Sequence, residues 1–315
     1  MQNSKKSIRY RFSALFIALC ALFAFLSFPL GTMAASAREV GESTPEARTL
    51  AKATVAPTLS AVRSKRTTDY VSYPITLWGK ATGTKALMIN GTLYIPMNSF
   101  AESVGAKVKY DTASKTLTVS ANGLYLTVSD GAYVTYVNDR PFFSGQNSAV
   151  MSDGRTYVPI SSVMKAFGLN YTHTSRGVFV SGTFTPPMHA SRFYREDEVL
   201  WLSRIISAES KGEPLLGQIA VGSVVMNRVA SKDYPNTIYS VIFDRKYGVQ
   251  FSPILDGSIY GTPTYNCTLA AKICLEGVRV GDGALFFLRP EASSSLWIPT
   301  TRKFLFSIGN HDFYA

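Results

Sequence analysis

Cysteine and histidine are scarce in this 315-residue chain, with three of each. Cys267 and Cys274 lie seven apart in a segment that reads as a helix. On a helix they would stand about 10 Å apart along the axis, too far for a disulfide. They are expected to be two small core residues on one face, and no disulfide framework is expected. Cys20 follows Leu19 inside an apolar run, where lipoprotein processing would need a small residue, so no lipid anchor is expected. His173, His189 and His311 are scattered, and no HExxH or CxxC spacing occurs. That pattern argues against a zinc site, and no cofactor is expected. Acidic residues are also few: 21 against 32 Lys and Arg, for a formal charge of +11.

What is present begins with a targeting pattern. Lys5, Lys6, Arg9 and Arg11 precede an uncharged apolar run from Phe12 to Leu30, and Ala35-Ser36-Ala37 has signal-peptidase spacing. Residues 1–37 are read as a secretory signal in transient contact with the membrane. An uncleaved anchor is the alternative, because the run approaches the ~20 residues that span a bilayer. Pro29 and Gly31 break the run and favour cleavage. The signal holds four basic residues and no acid, which leaves about +7 of the +11 on the remainder. A basic exported chain suits an anionic partner such as a wall polymer. Export disfavours nucleic acid, and no base-reading motif is present.

Residues 38–72 show no sustained period and read as a flexible linker. Residues 73–182 contain an internal repeat. Gly91/Gly154, Tyr94/Tyr157, Pro96/Pro159 and Gly105/Gly168 share an offset of 63, and a shared offset over four such residues marks a repeat. In each copy an Asn-Gly or Asp-Gly turn precedes a strand that stops at proline. A short amphipathic helix follows, with a C-cap glycine, and then further strands. Leu124–Phe143 alternates like paired strands. This pattern resembles the copper amine oxidase N-terminal-like domain of secreted bacterial proteins. Copper needs several ligands and the segment has only His173, so an accessory, wall-binding module without copper is expected. Residues 183–194, with Pro186 and Pro187, read as a linker.

Residues 195–315 read as a mainly helical domain. Glu196, Asp197 and Glu198 open a helix whose apolar positions are Val199, Leu200, Leu202, Ile205 and Ile206. Acids in a first turn suit the helix dipole. The helix delivers Glu209 at its C-terminal end, before Lys211-Gly212-Glu213-Pro214 breaks it. A carboxylate there meets the negative end of the dipole, and apolar neighbours raise its pKa further. Both effects keep a proton on Glu209, as an acid that protonates a glycosidic oxygen requires. The next helix, Leu215–Ala230, is almost wholly apolar or small and should be buried nearly all round. Gln218 and Asn227 are its polar exceptions; each is either a structural hydrogen bonder or a cleft residue.

The run Ile206-Ser-Ala-Glu209 through Gln218 to Asn227-Arg228-Val229 resembles the core motif of the SleB/CwlJ spore-cortex-lytic cell-wall hydrolases. Gln250-Phe251-Ser252-Pro253, Ala284-Leu285-Phe286-Phe287, Trp297 and Ile308-Gly309-Asn310-His311-Asp312-Phe313-Tyr314 follow as further matches in order. Arg289-Pro290 departs from the family's usual Asn-Pro. The resemblance implies a lysozyme-like lytic transglycosylase fold, so the chain as a whole is α+β. It also implies a single catalytic acid, carried onto Glu209. The candidate substrate contacts are Gln218, Asn227, Gln250, Phe251, Ser252, Phe287, Trp297 and His311: Gln250 and Ser252 either bind sugar hydroxyls or N-acetyl groups or are structural, Phe251, Phe287 and Trp297 either stack on sugar rings or belong to the core, and His311 is either a second polar cleft residue or a structural hydrogen bonder. The implied reaction cleaves the MurNAc–GlcNAc bond of peptidoglycan glycan strands, with attack by the muramic C6 hydroxyl giving a 1,6-anhydromuramyl end. Residues 195–315 are therefore read as the catalytic domain of an enzyme secreted to the wall, the spore cortex or a periplasm-like space.

Alternatives stay open. Glu213 is a loop residue or a second carboxylate for hydrolysis. A non-catalytic wall-binding protein would have lost the acid, which this chain retains. An amidase of the stem peptide would need a zinc site or a Cys/His pair. Nothing near Ser293-Ser294-Ser295 supplies a serine-nucleophile triad.

Overall fold

The computed structural model describes residues 70–145, 149–246, 248–293 and 297–315. The signal reading and nearly all of the 38–72 linker lie outside the described residues, as do Ser294 and Ser295. The linker reading runs slightly too far, because Val71 and Ser72 already belong to the first strand.

The strand-rich part starts with β1 (Val71–Leu77), β2 (Lys80–Ile89) and β3 (Thr92–Pro96), then helix α1 (Met97–Ser103). Five strands follow: β4 (Lys107–Asp111), β5 (Thr116–Ala121), β6 (Leu124–Ser129), β7 (Val134–Val137) and β8 (Arg140–Phe143). They form one antiparallel meander in that order. Then come β9 (Val150–Ser152), β10 (Arg155–Pro159), helix α2 (Ile160–Phe167), β11 (Asn170–Thr174) and β12 (Gly177–Ser181). These complete a seven-stranded sheet of order β11-β12-β1-β2-β3-β10-β9, in which β1 and β12 run parallel. Period-two alternation explains the meander. Leu117, Val119, Leu126 and Val128 are buried on one face, and threonines and serines hold the other. Helices α1 and α2 complete that core with Phe100 and Phe167, whose rings meet edge-on at 5.3 Å.

The turn chemistry is visible in the backbone. Asn90-Gly91 and Asp153-Gly154 all have positive φ, at 48°, 78°, 48° and 69°, as type I′ hairpin turns require. Pro96 and Pro159 sit at the N-caps of α1 and α2. Gly168 caps α2 in the left-handed region, whereas α1 is capped by Val104 with Gly105 just beyond it.

Helix α3 (Ala190–Phe193) leads into the helix-rich part: α4 (Glu196–Ser210), α5 (Leu215–Ala230), α6 (Ile238–Ile242), α7 (Pro253–Asp256) and α8 (Tyr265–Leu275). Next come β13 (Phe286–Leu288), α9 (Trp297–Thr301), β14 (Phe304–Ile308) and β15 (His311–Tyr314), with sheet order β13-β15-β14. The chain is thus α+β. The residues gave no prior sign of the C-terminal hairpin as strands, because short apolar runs such as Phe304–Ile308 carry no decisive period.

Helix α5 packs against both α4 and α8, which also pack on each other, and is buried from Gly217 to Val225. Cys267 and Cys274 are free thiols, fully buried in α8. Gly222 permits the close approach: a Cβ there would lie 2.8 Å from both Cys274 Sγ and Ile206 Cδ1. Gly222→Ala should gain about 1 kcal/mol of helix propensity and lose up to about 3 kcal/mol to overpacking. The expected result is a net loss of about 1–2 kcal/mol, read from the urea midpoint.

Candidate active site

Helix α4 carries Glu209 one residue before its end, on the rim of an open cleft of about 1200 Å³. Glu209 is half-buried, and burial pushes its pKa up to about 7, with the negative charge of Asp256 on α7 adding to the effect. Asp256 lies 47 residues downstream and carries no sequence signal that joins it to Glu209. No protein group hydrogen-bonds the Glu209 carboxyl among the described residues.

The cleft gathers Glu209 with Gln250, Phe251, Ser252, Phe287, Trp297 and His311. Phe251 is nearly buried (3% exposed) and belongs as much to the core as to the cleft wall. Phe287 stands between them, its ring 6.4 Å from Phe251 and 5.5 Å from His311. Trp297 is exposed and edge-on to Phe286 at 5.9 Å, with the Arg302 guanidinium over both rings. Gln250 donates from Nε2 to the Gly248 carbonyl at 3.1 Å.

Gln218 and Asn227 do not line the cleft. Gln218 Nε2 donates to the carbonyls of Glu213 (3.0 Å) and Lys211 (3.4 Å). It thereby holds the turn that follows Glu209. Asn227 Nδ2 donates to the carbonyls of Ala284 (3.0 Å) and Gly281 (3.4 Å), just before β13. Gln218 is buried and Asn227 partly buried, and backbone carbonyls engage the amide nitrogen of each, as polar groups in an apolar helix require. They shape the walls without touching the space between them.

Glu213 is likewise absent from the lining. Its side chain is nearly buried and accepts from the Asn310 backbone N–H and from Asn310 Nδ2, both at 3.0 Å. It lies so close over Gly309, where φ is +59°, that a Cβ there would collide with its carboxylate. Glu213 therefore pins the β14–β15 turn, and with it His311, whose Nδ1 lies 3.6 Å from Glu213 Oε1. Burial presses the His311 pKa down, Glu213 and Asp312 oppose this, and Arg289 reinforces it; the net direction is down. The imidazole is thus neutral near neutral pH.

Arg228 is a cleft residue that reading the sequence did not single out. It is 4% exposed, and its Nε donates to the Leu285 carbonyl at 2.8 Å. Burial lowers its pKa, against Tyr234 and Asp244, but a guanidinium stays charged. The usable signal was a lone cation in an otherwise apolar helix.

Residues 212–314 match the family model described as Cell Wall Hydrolase, and residues 79–180 match that described as Copper amine oxidase N-terminal domain. Each match takes in about a third of the chain, and the copper amine oxidase match comes first. Glu209 stands three residues before the cell wall hydrolase match.

Among relatives, the chain is 36% identical over 120 residues to a spore cortex-lytic enzyme of Bacillus cereus, covering 38% of this chain and 45% of that protein. It is 30% identical over 120 residues to one of Bacillus subtilis, covering 38% of each. A solved catalytic domain, of the germination-specific lytic transglycosylase SleB from Bacillus anthracis, is 35% identical. That match covers 39% of this chain and 97% of that one, with a TM-score of 0.36. The chain spans less than half the length of these curated relatives.

The residues of the strand-rich part do not fit copper. His173 stands edge-on to Tyr73 at 4.3 Å, and no group of three His, Cys, Asp or Glu side chains converges among the described residues.

Proposed function

We propose that this chain is an exported enzyme that cleaves the MurNAc–GlcNAc bond of peptidoglycan, acting in the wall, the spore cortex or a periplasm-like space. The observation that carries the reading is Glu209, a carboxyl with a pKa near 7 on the rim of an open cleft. The cell wall hydrolase match that begins three residues later supports it. In this reading the helix-rich part is a lysozyme-like lytic transglycosylase domain. Residues 73–182 are a two-repeat accessory module that binds the wall, including other anionic polymers.

The chemistry follows from one carboxyl. Glu209 gives its proton to the glycosidic oxygen as the bond to the muramic C1 breaks, and positive charge spreads over C1 and the ring oxygen. The ionised Glu209 then takes the proton of the muramic C6 hydroxyl as that oxygen attacks C1. The product is a 1,6-anhydromuramyl end, and Glu209 returns to its starting protonation state. The nucleophile belongs to the substrate, so no second carboxylate is needed, in keeping with Glu213 being engaged by Asn310. The neutral His311 ring and Phe287 offer a hydrogen-bonding edge and an apolar face to the sugar.

Purified spore cortex and vegetative sacculi digested by the protein, with muropeptides read by mass spectrometry, test this. Anhydromuramyl ends are expected. Reducing muramyl ends would replace the transglycosylase step with hydrolysis, and the faster-digested sacculus identifies the substrate. Absence of any released fragment from either sacculus would overturn the reading.

A further inference from the structure

Arg228 is a buried cation whose donors are mostly unused. Nε is bonded to Leu285, but Nη1 is shielded from solvent and meets no acceptor. No carboxylate forms an ion pair with it among the described residues. Asp244 acts on it at a distance without forming an ion pair, and the groups packed on it are aromatic: its guanidinium carbon lies 5.0 Å from the Tyr234 ring centroid, 5.1 Å from Phe251 and 5.5 Å from Phe286. Ring faces attract a cation, but they do not accept the in-plane N–H bonds that a guanidinium offers in a fork. A buried charge without a counter-ion is costly, and such groups are ordinarily paired. The missing partner is therefore sought in the cleft that Arg228 lines.

The rest of the lining points to its sign. Lys232, Lys246, Arg289 and Arg302 accompany Arg228, against Asp233 and Asp244 besides the protonatable Glu209. The Arg302 guanidinium lies over the Phe286 and Trp297 rings. The lining thus carries an excess of cations, with Arg228 and Arg302 set over ring faces, suited to a sugar that carries an acid.

We infer that Arg228 is a substrate-binding residue that takes a carboxylate of the muramyl unit, so that the cleft selects acid-bearing glycan strands over neutral ones. The inference rests on the proposed glycan substrate and adds a specificity determinant to it. The carboxylate has two sources: the lactyl group of a muramic acid whose peptide has been removed, and the stem peptide. A guanidinium N–H that meets a carboxylate makes a charge-assisted bond, and a neutral acetamido carbonyl returns less.

Binding separates this from catalysis. The Glu209→Gln protein, in which cleavage is expected to be blocked, is titrated with three soluble strand preparations: intact, amidase-stripped, and intact with carboxyls converted to amides. At least one of the two carboxylate-bearing preparations should bind at least ten-fold tighter than the amidated strands. Tight binding of stripped strands alone assigns the lactyl source, tight binding of intact strands alone assigns the peptide, and tight binding of both means that either carboxylate serves. The added Arg228→Gln change should remove the preference while leaving affinity for amidated strands unchanged. Arg228→Lys, which keeps the charge and loses the planar guanidinium, should retain part of it. Should the Gln variant fail to fold by circular dichroism, the comparison of the two carboxylate-bearing preparations with amidated strands still decides. Equal affinity for all three, or an equal loss for all strands on Arg228→Gln, overturns the inference and leaves the glycan substrate standing. Binding to no strand at all overturns both.

Discussion

Glu209→Gln should reduce release of glycan fragments by about 10³-fold, within the range for loss of a positioned general acid. The same protein should be more stable than wild type at pH 8. Both effects come from one environment. Burial, reinforced by Asp256, raises the Glu209 pKa from 4.5 to about 7. Wild-type Glu209 therefore holds a proton at pH 6 that an ordinary glutamate would have lost, and the rate should fall as pH rises through about 7.

The stability change has a definite sign. The folded chain keeps the proton more tightly than the unfolded chain, so stability declines between about pH 4.5 and 7, and the full penalty applies above that. Glutamine has no charge to lose and escapes it. The variant should gain on the order of 2 kcal/mol at pH 8 and nothing at pH 4, where both forms are neutral. Thermal melts at the two pH values check this, alongside the digestion. A variant as active as wild type removes Glu209 from the mechanism. An unchanged melting difference between pH 4 and pH 8 would show instead that its carboxyl is well solvated. Asp256→Asn offers a milder control. It removes the neighbouring charge but leaves burial, so the alkaline limb of the rate profile should move to lower pH with little loss of maximal rate.

How much of this was legible follows from range along the chain. Helix α4 has an acidic first turn and period-3.6 apolar positions, so its limits and the place of Glu209 at its end could be read directly. The Asn90-Gly91 and Asp153-Gly154 turns were equally plain, since I′ geometry demands those residue types. The roles of Gln218 and Asn227 were not, because a buried amide's partner depends on tertiary packing. Carbonyls of Glu213 and Ala284 settled it. Glu213 reads as a loop residue or a second carboxylate, and its bonds to Asn310, 97 residues later, join positions that no motif links. Asp256 and Arg228 matter through what surrounds them in space, and neither lies in a motif that announces it. The segment 183–194 read as a linker, yet it is tied down: Asn138 donates to the Pro187 carbonyl, Ala190 N–H donates back to the Asn138 carbonyl, and His189 meets Asp139.

That tied segment forms part of a contact between the strand-rich and helix-rich parts, and Arg140→Met should expose its energetics. Glu276, just past α8, has a side chain with no solvent exposure. Arg140 on β8 grips it with two bonds of 2.8 and 2.9 Å, Tyr194 Oη donates at 2.6 Å, and Lys165 of α2 donates at 2.9 Å. The Arg140 guanidinium also lies 3.4 Å from the Phe193 ring centroid. Burial pushes the Glu276 pKa up, but the bonds from Arg140, Tyr194 and Lys165 outweigh it and hold the carboxyl below its ordinary range. Removing one partner of a buried pair leaves an undercompensated charge, at a cost of about 3–5 kcal/mol. Lys165 remains here, so about 3 kcal/mol is expected for Arg140→Met. Changing Glu276 to Leu as well should restore much of that, because no buried charge is left and the half-exposed Lys165 can turn to water. Recovery should be incomplete, since Tyr194 then loses its acceptor. Because the folded carboxyl is depressed, its stabilisation is present above the ordinary carboxylate range and lost as pH falls through its folded pKa. The single variant's deficit should shrink in acid accordingly. None of these four side chains lines the cleft, so glycan cleavage by the folded variants should match wild type. A double variant no more stable than Arg140→Met would mean that packing of Val134, Tyr136 and Phe143 against the helices, and not the charge network, joins the two parts.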